Sequence, residues 1–420
     1  MFTIDYSLKR VDGVLAEIDR LKQSDFPYTH PSDAMELLDK IFKDAHSVLE
    51  KVSPDAEADV IHDVCSTYLY QLYVYVPILG FLLRSTNVRN AFEAYSPLLR
   101  LAQSIMGTDT KLIVSSEWEF SPFVYRAITD LPGFVLIGLP APESSNPLLI
   151  PLAGHELGHS VWEAEGFSAK FEKQITDGIL DELMNKRWQE YSSLYPYKKS
   201  DFTKKPLLTR PTWTPAYTWA LLQAEEIFCD FFGLRLFAES YLHAFTCMLS
   251  PGLSGQRPLQ YPNITRRIAH LMEAAKIMQV EVSADFESSF LSETEPTDPA
   301  TSLLVSIADT VSASLVQELI TLAEGFADSK QLPKKDTDKV KEIGESFRKW
   351  VVPVRKPASL VDIVNAGWEC NMDEHFWKKV PQIKGKKEED FAKNRDRILR
   401  DIMLKSMEIA EIYKRLEKSS

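Results

Sequence analysis

Apolar residues recur three and four positions apart through the first hundred residues, which is the spacing of amphipathic helices. Four helices are predicted there, over SLKRVDGVLAEIDRLKQ, AMELLDKIFKDAHSVLEKV, the run from Asp59 to Leu83, and VRNAFEAYSPLLRLAQSIMG. Ser32 and Asp33 precede the second of these and are predicted to cap its first turn. The fourth is predicted to end at its final glycine, which is a common helix stop.

The pattern changes at Thr108. The segments KLIVSSEWEFSPFVY and GFVLIGLP are rich in β-branched and aromatic residues and are bounded by proline and glycine, so two to four strands are predicted. Helical spacing returns after Phe167 and continues towards the C-terminus, interrupted by the polar linker SETEPTDPATS. The chain is therefore predicted to be mainly α with a small β-sheet, an α+β fold.

Composition and charge exclude several classes of protein. Hydrophobic residues make up 45% of the chain and charged residues 26%, as in soluble globular proteins. The formal net charge of −12 disfavours nucleic acid as a partner, because phosphate binding needs clustered Lys and Arg. The four cysteines lie far apart without a CxxC pair, which argues against a disulfide framework and a cysteine zinc site. No secretory signal pattern begins the chain, so a cytoplasmic location is expected.

One segment has the length of a membrane span. From Cys65 to Leu83 there is no charged residue, and about 18 apolar residues are enough to cross a bilayer. The segment nevertheless contains four tyrosines, other polar residues and Pro77, and acidic residues precede it closely. We therefore expect a buried helix of a soluble protein and no membrane partner.

The stretch LLIPLAGHELGHSVW contains two histidines four residues apart, with a glutamate directly after the first. On a helix, His155 and His159 lie one turn apart on the same face, so both imidazoles can bind one Zn²⁺ ion. Glu156 is rotated away from that face and is suited to take a proton from a zinc-activated water. The alternative is an ordinary helix with two partly exposed histidines. A metzincin-type third histidine is excluded, because Trp162 and Glu165 stand where that motif requires glycine and histidine.

A third metal ligand is expected on the apolar segment AYTWALLQAEEIFCDFFGLRLFAESYLHAF, which is predicted to be one long buried helix. Glu226 and Asp230 lie one turn apart on one face of it, and Glu225 adds a third carboxylate. Burying three carboxylates without a cation or hydrogen-bond donors is costly. Glu226 is therefore a candidate ligand, and Asp230 a candidate acceptor for the outer N–H of a ligating histidine. Two alternatives stay open: Glu225 is the third ligand, or the three carboxylates form a solvated edge.

HExxH followed later in the chain by ExxxD on a helix resembles the gluzincin zinc peptidases, the thermolysin-like clan. The resemblance covers about residues 130–275. It implies a set of roles for five residues: zinc ligands His155, His159 and Glu226, general base Glu156, and Asp230 behind a ligand. It also implies that the segment Gly133 to Pro140 is an edge strand along the cleft, where an extended peptide can pair with it.

A finer similarity exists to the CAAX-prenyl-protease and HtpX-like branch, which has an E-x-x-A-D helix followed by H-P-x-x-x-x-R-I. This chain has EIFCD and then YPNITRRI, so Cys229 replaces the alanine and Tyr261 the histidine. The multiple membrane spans of that branch are not predicted. The similarity implies that Tyr261 donates a hydrogen bond to the oxyanion, and that Arg267 supports a ligand carboxylate or grips substrate. His270 shares a helical face with Arg267 and is a third candidate, unless Arg266 and Arg267 face solvent.

These patterns predict a zinc-dependent metallopeptidase with three regions: an N-terminal helical region (1–107), a catalytic zinc-peptidase core (108–275) and a C-terminal helical region (276–420). The expected partner is a peptide or protein substrate, bound between two lobes. The alternatives are a catalytically silent helical scaffold on a peptidase fold and a zinc hydrolase of a non-peptide amide. His243 and His375 are further histidines, and a core or surface position is the simpler interpretation of each.

Overall fold

The structure is a computed structural model that describes residues 4–53, 55–87, 91–118, 122–125, 128, 130–143, 145–251, 257–353, 358–373 and 395–419. The chain is mainly α-helical with a small β-sheet, as the sequence predicts. It divides into two compact units, Met1–Ser145 and Asn146–Ser420. These units place the three strands with the N-terminal helices, whereas the three functional regions 1–107, 108–275 and 276–420 stay a prediction.

Four α-helices are described in the first unit: α1 (Ile4–Leu21), α2 (His30–Lys51), α3 (Ala58–Arg84) and α4 (Ser96–Met106). α2 begins before the predicted cap, because Pro31 lies in its first turn, where a missing N–H costs nothing. Ser32 and Asp33 are therefore inside the helix, and the predicted cap is wrong. α4 ends as predicted at Gly107, whose φ of 115° favours glycine.

α3 packs one face into the core of the first unit and leaves the other face exposed. Ile78 and Leu82 are buried, whereas Tyr70 and Tyr73 are 70% and 75% exposed. α3 is long and apolar enough to cross a membrane by length and composition, and 28% of its most apolar stretch is buried. The two consecutive helices Pro299–Ser314 and Val316–Ser329, which are bent by 49° at their break, are also long and apolar enough to cross a membrane if they are counted together as one span. The expectation of a buried helix thus holds on one face of α3, and the absence of a membrane partner stays a prediction.

Three strands form one sheet in the described part of the first unit: β1 (Lys111–Glu117), β2 (Phe123–Val124) and β3 (Phe134–Pro140). β3 lies in the middle, parallel to β1 and antiparallel to β2, with Gly138 opposite Phe123. The prediction that this segment is an edge strand is therefore wrong. Its residues are apolar and mostly buried on both faces, which is typical of a central strand.

The outer edge of β1 is partly closed by tyrosine side chains. The Tyr28 hydroxyl accepts a hydrogen bond from the Val114 N–H at 2.8 Å and donates one to the Val114 carbonyl at 2.7 Å. The Tyr95 ring stacks on Tyr28 at 3.7 Å, and its hydroxyl donates to the Leu112 carbonyl at 3.0 Å. These backbone groups are the ones that an added strand would need, so this part of the β1 edge is not open to an extended peptide.

Twelve α-helices are described in the second unit: α5 (Leu152–Ala164), α6 (Phe167–Asp181), α7 (Trp188–Leu194), α8 (Asp201–Lys204), α9 (Pro206–Phe237), α10 (Glu239–Leu249), α11 (Ile264–Ile277), α12 (Pro299–Ser314), α13 (Val316–Ser329), α14 (Thr337–Arg348), α15 (Leu360–Met372) and α16 (Arg395–Ser419). Helix α9 is central, because α5, α6, α10, α11, α12 and α13 all pack against it. Every residue from Gln223 to Phe237 is buried, so this part of α9 has no solvated face. The predicted long helix is in fact two helices, α9 and α10, separated at Ala238 with a φ of 51°.

Candidate metal centre

Helix α5 carries the HExxH motif and crosses α9 at close range because glycines lie at the contact. A Cβ atom on Gly158 would lie 2.9 Å from the Cα of Cys229, and one on Gly154 would lie 3.1 Å from the Cα of Gly233. Side chains at these two positions of α5 would therefore force the backbones apart. The close crossing brings the two histidines of α5 opposite the buried carboxylates of α9.

The structure brings together the three predicted metal ligands. One ligand atom from each of His155, His159 and Glu226 lies within 4.8 Å of the other two. The Nε2 atom of His155 is 3.3 Å from Oε2 of Glu226, and Nε2 of His159 is 3.6 Å from Oε1. Oε2 of Glu226 is buried and has no hydrogen-bond partner in the described part of the chain. Its charge is offset at a distance by Nε2 of His155 and by Nη2 of Arg267, 3.8 Å away, and the two imidazoles and the carboxylate are a donor set that fits a divalent cation.

A carboxylate of α9 holds the outer nitrogen of each histidine. Nδ1 of His155 lies 2.9 Å from Oδ1 of Asp230, and Nδ1 of His159 lies 2.8 Å from Oε1 of Glu225. Because an ionised carboxylate can only accept, each Nδ1 donates its N–H, and each Nε2, which faces Glu226, is the nitrogen left to bind an ion. The predicted contact of Asp230 is present. Glu225 lies at the outer nitrogen instead of among the ligand atoms, and all three carboxylates are buried, so the solvated acidic edge is excluded.

Arg267 and Tyr241 hold Asp230 in turn. Arg267 donates from Nε to Oδ2 of Asp230 at 2.6 Å and from Nη2 to Oδ1 at 2.8 Å. The Tyr241 hydroxyl donates to the same Oδ1 at 2.7 Å. Burial acts to raise the pKa of Asp230, but the charge and hydrogen bonds of Arg267 and His155 outweigh it, so this pKa lies well below its usual range. Arg267 thus pairs chiefly with Asp230, while its Nη2 lies 3.8 Å from Oε2 of Glu226, the predicted ligand carboxylate. Of the two adjacent arginines, Arg266 is the one exposed to solvent.

Tyr261 lies beside this network on an anchored loop. The guanidinium of Arg267 lies 5.5 Å from the centre of the Tyr261 ring, a cation–π arrangement. Arg257 donates to the Tyr261 carbonyl at 3.0 Å and is itself held by two 2.7 Å bonds to Asp309. The negative charge of Glu226, together with burial, raises the pKa of Tyr261 to about 12. The phenol therefore keeps its proton near neutral pH and can donate a hydrogen bond close to the metal group.

The protonation of the site follows from burial and neighbouring charges. Burial raises the pKa of Glu156, although the nearby His155 and His159 oppose this effect. Burial acts against a charge on His155, but Asp230 and Glu226 prevail and raise its pKa to about 10. A buried carboxylate with a raised pKa is suited to accept and return a proton, which is what a general base requires.

Three further histidines were considered from the sequence, and neither of the two that are described, His270 and His243, belongs to the metal group. His270 is half-buried on α11, burial lowers its pKa, and none of the described hydrogen bonds joins it to the metal group. His243 stacks on Trp368 with ring centres 5.3 Å apart, as expected for a core histidine. His375 lies outside the described residues.

Sequence reasoning missed the contact of Glu225 with His159 and the whole contribution of Tyr241. No motif marks Tyr241, which reaches Asp230 from α10 across the bend at Ala238. A signal for Glu225 was available, because two ligating histidines each need an acceptor for their outer N–H and α9 offers three carboxylates.

Comparisons with known proteins identify no relative of this chain. A scan of family models, a search of curated proteins and a search of solved structures each found no match. The gluzincin similarity therefore stays a prediction drawn from the motifs, and function is inferred from the geometry of the site.

Proposed function

We propose that the chain is a zinc-dependent metallopeptidase, with His155, His159 and Glu226 as ligands and Glu156 as general base. One observation carries the proposal: two imidazole nitrogens and a buried carboxylate oxygen without a hydrogen-bond partner among the described residues converge at one point. Catalytic zinc commonly has three protein ligands of this kind and one open position. Burial of the group beside a glutamate with a raised pKa supports a catalytic over a purely structural site.

Zinc, when bound, would lower the pKa of a coordinated water and polarise the scissile carbonyl. Glu156 takes the proton of the attacking water and returns it to the leaving amine, which is general base and then general acid catalysis. The Tyr261 phenol donates to the oxygen on which negative charge develops. Arg267 is a positioning residue in this assignment: it fixes Asp230 and, through Asp230, the orientation of His155, and its Nη2 lies 3.8 Å from Oε2 of the ligand Glu226.

The substrate class is proposed from the gluzincin resemblance. The presence of all the side chains that the reaction needs supports catalytic turnover. Ligands, base, hydrogen-bond donor and supporting carboxylates all occur together, whereas a silent scaffold has no need of them. The proposal includes a peptide substrate and a cytoplasmic location. The experiment has to distinguish hydrolysis of peptides from hydrolysis of a non-peptide amide.

Metal analysis and a peptide-library screen of the purified chain test the proposal. We expect about one zinc per chain, lost in His155→Ala and Glu226→Ala and kept in Glu156→Gln. Glu156→Gln should lower peptide cleavage by roughly 10²–10⁴-fold, the usual contribution of a general base. Absence of zinc from the wild-type chain would overturn the metal site. A zinc-loaded chain that cleaves simple amides and no peptide would overturn the peptidase assignment alone.

A further inference from the structure

We infer that Glu225 is the positioning residue of His159, so that each metal-binding histidine is oriented by its own carboxylate on α9. The inference deepens the proposed function and rests on it, because it concerns the residues that hold the same metal. It also assigns different roles to two adjacent glutamates: Glu226 binds the ion, and Glu225 binds the outer nitrogen, Nδ1, of His159.

The geometry of Glu225 supports this role. Its Oε1 lies 2.8 Å from Nδ1 of His159, and the residue is only 4% exposed. Successive residues of a helix point about 100° apart, so Glu225 and Glu226 cannot both face the same point. Glu226 instead lies near Nε2 of His159, at 3.6 Å, on the opposite side of the ring from Glu225. The imidazole therefore lies between the two carboxylates.

The close helix crossing makes this arrangement possible. Gly158, which directly precedes His159, has no room for a Cβ atom against Cys229, and Cys229 lies one turn after Glu225. The backbone of α5 thus approaches α9 closely enough for His159 to lie alongside Glu225. His155, one turn earlier on α5, meets Asp230, which lies further along α9. The two histidine–carboxylate pairs follow from one antiparallel crossing.

The alternative that Glu225 is the third ligand conflicts with these contacts. The Oε1 atom of Glu225 lies at Nδ1 of His159, whereas Glu226 places one oxygen near each of the two Nε2 atoms. A carboxylate at the outer nitrogen fixes the tautomer and the ring plane of a metal-binding histidine, and removing such a partner typically weakens metal binding by roughly 10–100-fold. Glu225 is expected to act in this way without touching the metal.

The test compares Glu225→Gln and Glu225→Ala with wild type in the full chain. Zinc affinity is measured by competition with a chelator, and the ligand field by the visible absorption of the cobalt(II)-substituted protein. We expect both variants to bind one metal ion per chain. Affinity should fall about 10–100-fold in Glu225→Ala and less in Glu225→Gln, because the amide oxygen can still accept from Nδ1. The cobalt absorption bands should change in both variants.

Glu182→Gln is the matched control, because Glu182 is also a buried glutamate of the second unit. It pairs with Lys186 at 2.7 Å, one turn away, and is not among the metal group. Its zinc affinity and cobalt spectrum should equal those of wild type. The unfolding midpoint of each metal-free variant then separates loss of fold from loss of metal affinity.

Three results would overturn the inference. Wild-type zinc affinity and an unchanged cobalt spectrum in both Glu225 variants would show that the residue only packs. Complete loss of zinc from a metal-free variant that keeps the wild-type unfolding midpoint would make Glu225 a ligand. Failure of the isosteric Glu225→Gln chain to fold without metal would make its role structural. If the wild-type chain itself binds no zinc, the proposed function is wrong. If the wild type binds zinc and only the Glu225 variants behave differently from expectation, the role of Glu225 alone is wrong.

Discussion

At the scale of single residues, Tyr261 is the proposed hydrogen-bond donor, and its removal should separate catalysis from metal binding. Its ring packs against Arg267, its pKa is raised to about 12, and its backbone is anchored by Arg257, so the phenol is protonated and held in place. Tyr261→Phe removes only the hydroxyl. We expect kcat/KM for a cleaved peptide to fall by roughly 10²–10³-fold, the usual effect of losing an oxyanion donor, with zinc content unchanged.

Tyr217→Phe is a suitable control for this experiment, since Tyr217 is half-buried on α9 and lies outside the metal group. It should keep the wild-type kcat/KM. An equal, small effect of both substitutions would mean that Tyr261 is structural and that the donor lies elsewhere.

The grouping of His155, His159 and Glu226 could be predicted from the sequence because residues one helical turn apart share a face. His155 and His159 are one turn apart, as are Glu226 and Asp230, so each pair is positioned by local geometry alone. Tyr241 could not be predicted, since its contact with Asp230 depends on the bend between α9 and α10 at Ala238. Which of Glu225 and Glu226 faces the metal group depends on how α9 is rotated about its own axis relative to α5. The spacing of residues along one helix does not determine that rotation.

At the scale of secondary-structure elements, the crossing of α5 and α9 should be intolerant of side chains. A Cβ atom at Gly158 would lie 2.9 Å from the Cα of Cys229, so Gly158→Ala must push one backbone away from the other. We expect a loss of about 1–3 kcal/mol in the free energy of unfolding, the usual cost of overpacking, measured by urea denaturation of the metal-free chain. Zinc affinity should fall as well, because the histidines move with α5.

Gly325→Ala is the matched control within the same unit. Gly325 lies in α13 and is exposed, and among the described residues no heavy atom outside its own helical turn lies within 4 Å of where a Cβ atom would be. Alanine there should stabilise the helix by about 0.5–1 kcal/mol. Equal stability of Gly158→Ala and wild type would contradict a tight crossing.

The elements themselves were predictable to different degrees. Periodicity found α1 and α2 because their apolar positions follow the helical repeat, whereas the HExxH helix was placed by its motif. It could not find the break at Ala238, since apolar residues continue through it. The place of β3 in the sheet was also mispredicted, because strand order is set by long-range pairing with β1 and β2 and not by the segment's own pattern.

At the scale of the whole molecule, metal removal should be visible in the stability of the second unit. An ion that binds only the folded state stabilises it by RT ln(1 + [L]/Kd), about 4 kcal/mol when free zinc is roughly 1,000-fold above Kd. His155 and His159 lie on α5 and Glu226 lies on α9, so the ion would link these two helices. Helix α9 is the helix against which most of the second unit packs. Urea denaturation should therefore have a lower midpoint in the presence of a chelator than with zinc.

Tryptophan fluorescence is the appropriate measurement, because seven of the eight tryptophans belong to Asn146–Ser420 and only Trp118 belongs to the first unit. The zinc-dependent shift of the midpoint should vanish in Glu226→Ala, which lacks a ligand, and persist in Glu156→Gln, which lacks only the base. This pair of variants matters because both remove a buried carboxylate from the same site. A shift that persists in Glu226→Ala would mean that zinc stabilises the chain from another position, and the ligand assignment would then be wrong.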